Sequence, residues 1–150
     1  MSAIVECHNL TKKYRTKTVL NNFTATIEEN TITGLIGRNG AGKTTLLKIL
    51  TGYLKETSGK VAVFSERPFN SLKVSANSIF VDDQMSYPPA LQLYELIEAA
   101  ARFYPNFNLK LAKGLFDYFS FDPKGYHKRL SKGQKSTFNA IIGIAARCPL

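Results

Sequence analysis

Cysteine is scarce in this chain: Cys7 and Cys148 are the two present, and they stand at opposite ends. That pair fits no metal-ligand spacing and builds no disulfide scaffold, so free thiols in a reducing, cytosolic setting are expected. Long apolar runs are lacking as well. The longest near the C-terminus, Ala140 to Ala146, falls far short of the about 20 residues that a membrane-spanning helix needs. Membrane attachment would therefore come through a partner. The opening stretch contains Glu6, His8 and Asn9, which excludes the apolar core of a signal peptide. No internal repeat, heptad run or flexible linker interrupts the chain. Acidic residues are the minority charge: 11 Asp plus Glu stand against 20 Lys plus Arg, for a formal net charge of +9. That balance favours anionic partners, with nucleotide phosphate, nucleic acid and anionic lipid all admissible.

Hydrophobic residues make up 44% and charged residues 21% of the 150 positions, ordinary values for one globular domain with its own core. Ile4 and Val5 begin a short strand that runs into a turn at Asn9-Leu10-Thr11. Over Val19 to Ile27, Phe23, Ala25 and Ile27 alternate with Thr24 and Thr26, the pattern of a hairpin or meander. Thr31 to Ile36 reads as a β-branched strand that feeds a glycine-rich turn. A helix over Thr44 to Leu50 buries Leu46, Leu47 and Leu50 and stops at Gly52. Ser58-Gly59 then turns the chain into a strand over Lys60 to Phe64, and Ile79 to Val81 forms another. Helical spacing takes over at Leu93, Leu96, Ile97, Ala100 and Tyr104, and again at Leu111, Leu115, Phe116 and Phe119. Pro105 and Asn106 separate those two helices. A last helix runs from near Ser131 to Arg147, where Pro149 forbids continuation. The class is α/β.

Gly37, Gly42, Lys43 and Thr44 satisfy G-x-x-x-x-G-K-[ST]. Several backbone N–H groups must reach triphosphate oxygens at once, so the loop turns sharply and tolerates few side chains. Gly37, Gly40 and Gly42 supply that freedom. The helix that follows aims unpaired N–H groups and partial positive charge at the phosphates. Lys43 bridges β- and γ-phosphate oxygens in this reading, and the Thr44 hydroxyl joins the Mg²⁺ shell. Chance alone places the fixed positions in about one chain in two hundred of this length, and a strand before and a helix after complete the required setting.

The longer run Gly37-Arg38-Asn39-Gly40-Ala41-Gly42-Lys43-Thr44-Thr45-Leu46-Leu47 resembles the Walker A segment of ABC ATPases. Thr57-Ser58-Gly59 follows where that family places its T-S-G turn, and Leu130-Ser131-Lys132-Gly133-Gln134 resembles the signature L-S-G-G-Q. The resemblance covers essentially the whole chain. It implies a P-loop NTPase core of the ABC type with an N-terminal antiparallel β subdomain and an α-helical subdomain. The expected divisions are a core portion over 1–86, helices over 87–130 and a signature helix over 131–150. It also implies that ATP and Mg²⁺ are bound by Asn39, Gly40, Ala41, Gly42, Lys43, Thr44 and Thr45, with Tyr14 stacked on adenine. Such stacking is worth about 1–3 kcal/mol in nucleic-acid systems. Gln84 takes the place of the Q-loop glutamine at Mg²⁺ or the attacking water, so Gln84 and Lys43 are the candidate catalytic residues. Ser131, Gly133 and Gln134 would reach ATP held by a second ATP-binding subunit. Ser131 is equally suited to cap its own helix. Lys132 replaces the family's usual first glycine, exchanging backbone freedom for a positive charge near phosphate.

The resemblance further implies a Walker B Asp, an adjacent Glu and a switch His, all beyond the signature helix, and none lies within these 150 residues. The expectation is a fragment, incomplete at its C-terminus, that by itself hydrolyses little ATP. The parent is expected to be a cytoplasmic subunit at the inner face of a bacterial cell membrane. It would couple ATP hydrolysis to transport by a membrane-spanning partner that docks around Gln84, Met85, Ser86 and Tyr87. The alternatives are a soluble ABC-type ATPase acting on nucleic acid or ribosomes, and a non-catalytic nucleotide-binding fragment. The 88 residues between Lys43 and Ser131 (131 − 43) match compact transporter subunits, and nucleic acid is not expected as a partner. His127 reads as a surface loop residue.

Overall fold

The computed structural model describes residues 2–150, which divide into two compact units. The first reaches to Ser78 and includes Pro149 and Leu150; the second is Ile79–Cys148. The second unit thus begins upstream of the divide expected near residue 86, and it takes in the signature helix.

In the first unit, β1 (Ala3–Tyr14) pairs antiparallel with both β2 (Lys17–Glu28) and β3 (Ser58–Val63), in the order β2-β1-β3. β1 is far longer than the expected short strand. It continues through Asn9-Leu10-Thr11, where the pairing register shifts and Asn9 adopts a left-handed φ of 50°. An irregularity of this kind bends a strand without ending it. Beyond it, Leu10 is fully buried. The alternation in β2 is as expected: Phe23, Ala25 and Ile27 turn inward and Thr24 and Thr26 outward.

Helix α1 (Lys43–Leu50) covers that sheet with Leu46, Ile49 and Leu50, and α2 (Leu72–Asn77) adds Val74. Ile49 therefore takes the inward place expected of Leu47, which is 41% exposed. The two positions differ by about 200° around the helix. α2 escaped sequence reading because Leu72–Asn77 is short and only Val74 is buried.

Two expected strands do not form. Residues 31–36 lie in no ladder and are exposed throughout, with Ile32 and Ile36 almost fully so. Ile79 to Val81 likewise forms no strand. Periodicity reports a side chain's preference for burial, but a strand exists only where a neighbour accepts its hydrogen bonds. The described strands are all antiparallel members of one sheet, and neither segment joins it.

The second unit holds α3 (Leu93–Phe103), α4 (Leu109–Tyr118) and α5 (Lys132–Ala146). Their shared core includes Leu93, Leu96, Ile97, Phe116, Phe138 and Ile141. Aromatic rings fill its centre: Phe116 and Phe121 stack at 5.4 Å, and Phe121 meets Phe138 edge-on at 5.9 Å. α5 begins at the N-cap Ser131, whose Oγ accepts from Gln134 N at 3.2 Å. Gln134 Oε1 in turn accepts from Ser131 N at 2.9 Å. This reciprocal capping box starts the helix where the sequence placed it.

Cys7 lies in the first unit's core, and burial pushes its thiol up to about 11. Far less of the reactive thiolate is then present at pH 8 than in a free cysteine. Iodoacetamide is therefore expected to alkylate Cys7 at least about a hundredfold more slowly in the folded protein than in urea. Peptide mass spectrometry checks this, with the half-buried Cys148 as the internal comparison.

Candidate functional site

The site is built from the start of β2, the glycine loop that precedes α1 and the first turn of α1. Ala41 N donates to Arg38 O at 3.1 Å, folding the loop into a tight bend. Gly40 and Gly42 occupy the left-handed region, with φ of 84° and 94°. At Gly42 a Cβ would lie 2.7 Å from Val19 O and 2.9 Å from Leu20 Cδ2. The bend therefore needs glycine there on two counts, backbone conformation and the closeness of β2. Gly42 is also the N-cap of α1, and it offers no side-chain acceptor to the helix. No acidic residue stands in the first turn. The opening amides of α1 thus keep their donors free, next to the positive end of the helix dipole.

Asn39, Gly40, Gly42, Lys43, Thr44 and Thr45 line an open depression of about 490 Å³ together with Lys17 and Val19. Its lining carries two amines and no carboxylate. Lys43 Nζ donates to Gly37 O at 2.6 Å and to Arg38 O at 2.9 Å. An ammonium has three N–H groups, so these two bonds hold it over the loop with a donor to spare. Gly37 and Ala41 shape the bend rather than the lining; a Cβ at Gly37 would meet Ala41 Cβ at 3.4 Å. Thr44 is exposed, with its hydroxyl at the helix start. Polyphosphate fits this donor set, and a divalent cation riding on it needs few protein ligands, since Mg²⁺ keeps water and phosphate oxygens around it. Tyr14 does not line the depression. It sits at the tip of the β1–β2 hairpin, paired with Lys17, which does. Its ring is 46% exposed, with Lys12 Nζ 5.1 Å from the centroid.

In the second unit, Gln84 is exposed in a turn whose backbone N donates to Asp82 Oδ1 at 3.0 Å. Gln84, Tyr87, His127, Lys128 and Lys135 share a depression of about 260 Å³. Ser131, Gly133 and Gln134 are exposed at the start of α5. Ser131 Oγ accepts within the capping box, so its own O–H proton remains to be given. Gln134 turns its carbonyl back onto the cap.

His127 is not the loose surface residue expected. It lies in a 3-10 turn (His127–Arg129), half-buried, with its ring 4.7 Å from that of Tyr87. Its Nε2 stands 3.1 Å from Oδ1 of Asn139, which is 1% exposed. Burial lowers the His127 pKa and Lys135 adds to that, against the opposing hydrogen bond from Asn139. Asn139 escaped notice in the sequence. The signal was there, since an amide on the inward face between Phe138 and Ile141 must find partners.

The family description "ABC transporter" matches residues 20–147, a span that includes the glycine bend, Gln84 and the start of α5. The chain belongs to the ABC transporter family. Among its relatives, the ABC transporter ATP-binding protein YtrB of Bacillus subtilis is 28% identical over 144 residues, 96% of this chain and 49% of that protein. The zinc import ATP-binding protein ZnuC of Rickettsia bellii is 47% identical over 60 residues, 40% of this chain and 26% of that protein. This ABC chain thus spans about half the length of YtrB. The fold agrees. A solved ATP-binding subunit of an ABC transporter superposes with a TM-score of 0.84 at 20% identity, over 97% of this chain and 63% of that one. The ATP-binding cassette MJ0796 bound to ADP and Pi does so at 0.78 and 23%, over 96% and 70%. No helix among the described residues is long and apolar enough to cross a membrane.

A Gly42→Ala substitution forces a side chain onto Val19 O from a left-handed backbone. It is expected to cost about 1–3 kcal/mol. Chemical denaturation of the two proteins side by side measures that difference, and an unchanged midpoint would contradict the geometry given for the bend.

Proposed function

We propose that this chain is the phosphate-gripping part of an ABC transporter's ATP-binding subunit, and that the whole subunit hydrolyses ATP to drive a membrane-spanning partner. The observation that carries the reading is the uncapped, acid-free start of α1 behind a glycine bend, with Lys43 folded over it. In this reading the backbone amides of Gly40 and of Gly42 to Thr45 hold the β- and γ-phosphates, while Ala41 N stays on Arg38 O. Lys43 exchanges its loop carbonyls for phosphate oxygens. The hydroxyl of Thr44 joins the shell of a phosphate-bound Mg²⁺, whose charge offsets that of the triphosphate. Tyr14, at the hairpin tip beside Lys17, lies against the adenine.

Gln84 orients the attacking water or touches the Mg²⁺ shell, making it and Lys43 the catalytic residues contributed by this span. Phosphoryl transfer rests on positioning and charge stabilisation by several groups together. The depression around Lys43 has no carboxylate in its lining, so these 150 residues alone turn ATP over slowly. Ser131, Gly133 and Gln134 face ATP held by a second ATP-binding subunit, to which Ser131 donates its remaining hydroxyl proton. Lys132 adds charge there. The surface of Gln84, Met85, Ser86 and Tyr87, with Lys128 and Lys135 on its rim, receives the membrane partner, which places the subunit at the cytoplasmic face.

Titration with MgATP tests the reading. Charge-assisted hydrogen bonds are worth about 1.5–3 kcal/mol each. Lys43→Ala is therefore expected to weaken binding by about tenfold or more, while Gln84→Ala lowers turnover in the whole subunit with little change in affinity. Equal affinity of the wild-type and Lys43→Ala proteins would refute the assignment.

A further inference from the structure

Asn139 lies about two helical turns beyond Ser131, on the inward face of α5 and 1% exposed. Its Nδ2 donates to Asp82 O at 3.0 Å. That bond orients the amide, turning Oδ1 towards His127 Nε2 at 3.1 Å, so the imidazole must present its proton there. Asp82 passes the restraint on, since its Oδ1 accepts from Gln84 N at 3.0 Å. The path from α5 to the Gln84 backbone is thus continuous: Asn139 holds the Asp82 carbonyl, and the Asp82 carboxylate holds Gln84.

Rings close over the same path. Tyr87 meets His127 at 4.7 Å and Phe138 at 5.5 Å, both edge-on. The segment from Asp82 to Tyr87 contributes no helix or strand of its own. Apart from a turn, its order comes from these contacts with α5 and the His127 turn. Leucine has the same branched skeleton, bulkier and without polar atoms, and the other buried α5 residues nearby, Phe138, Ile141 and Ile142, are apolar. An amide buried there costs stability unless both of its ends are paired, and here they are.

We propose that Asn139 is a positioning residue: it ties the Gln84 turn to the helix that carries Ser131, and His127 holds the other end of its amide. The role in turnover rests on the function proposed for Gln84; the tie itself does not. When α5 moves, the Gln84 turn moves with it.

The test uses the full natural chain and two readouts. Backbone ¹⁵N order parameters for residues 82–87 are measured without nucleotide. Steady-state MgATP hydrolysis is measured with the partner subunits present. In Asn139→Leu the order parameters are expected to fall from about 0.85 to below about 0.6. Turnover should drop about tenfold to a hundredfold, while KM changes less than about twofold because the phosphate grip is untouched. His127→Gln keeps an N–H donor facing Asn139 and should stay near wild type. His127→Ala should shift both readouts in the direction of Asn139→Leu. That pair decides the matter if Asn139→Leu does not fold. Unchanged order parameters in Asn139→Leu, or identical behaviour of His127→Gln and His127→Ala, would overturn the tie. Lowered order with undiminished turnover would overturn the positioning role. A wild-type chain that hydrolyses no ATP would instead count against the proposed function, and the order parameters would still test the tie.

Discussion

A helix that begins without a cap is the constraint from which the rest of this structure follows. Most helices satisfy their first amides with a Ser, Thr, Asp or Asn side chain, as α5 does with Ser131. α1 has Gly42 in that place, left-handed and pressed against the backbone of β2. The cost of leaving those amides unpaired is tolerable at a surface, where an anion can repay it. Everything nearby suits that exchange. Lys43 is held over the bend by the Gly37 and Arg38 carbonyls, no acid stands in the first turn, and the hairpin end brings Lys17 into the lining.

The tight bend at Gly40 and Gly42 was legible because its causes are local. A loop that must present its backbone to phosphate is written in contiguous residues, Gly37 to Thr44, and each glycine's conformation follows from its neighbours. The capping box of α5 was legible for the same reason: Ser131 and Gln134 interact across a single turn. The amphipathic helices α3 and α4 likewise announced themselves, since their apolar spacing is the outcome of burying one face.

Strand pairing was less legible. Thr31 to Ile36 has the composition of a strand, yet its amides find no ladder among the described residues. Hydrogen-bond partners for a strand come from elsewhere in the sequence, and composition does not specify them. β1 shows the reverse. Asn9 reads as a stop, but pairing on both sides carries the strand through a bulge. The Asn139 network was hidden for a related reason. Asp82, His127 and Asn139 are remote in sequence and meet through packing, so no motif spacing records them. Tyr87 belongs with them. Its hydroxyl is buried without a hydrogen-bond partner while its ring packs on His127 and Phe138.

The central claim is that free amides at the start of α1 meet a nucleotide's phosphates. Backbone amide resonances of Asn39 to Thr45, followed during titration with a magnesium-bound, non-hydrolysable ATP analogue, test it most directly. The account predicts large, saturable shifts concentrated on Gly40, Gly42, Lys43 and Thr44. Saturation with those resonances unmoved would contradict it.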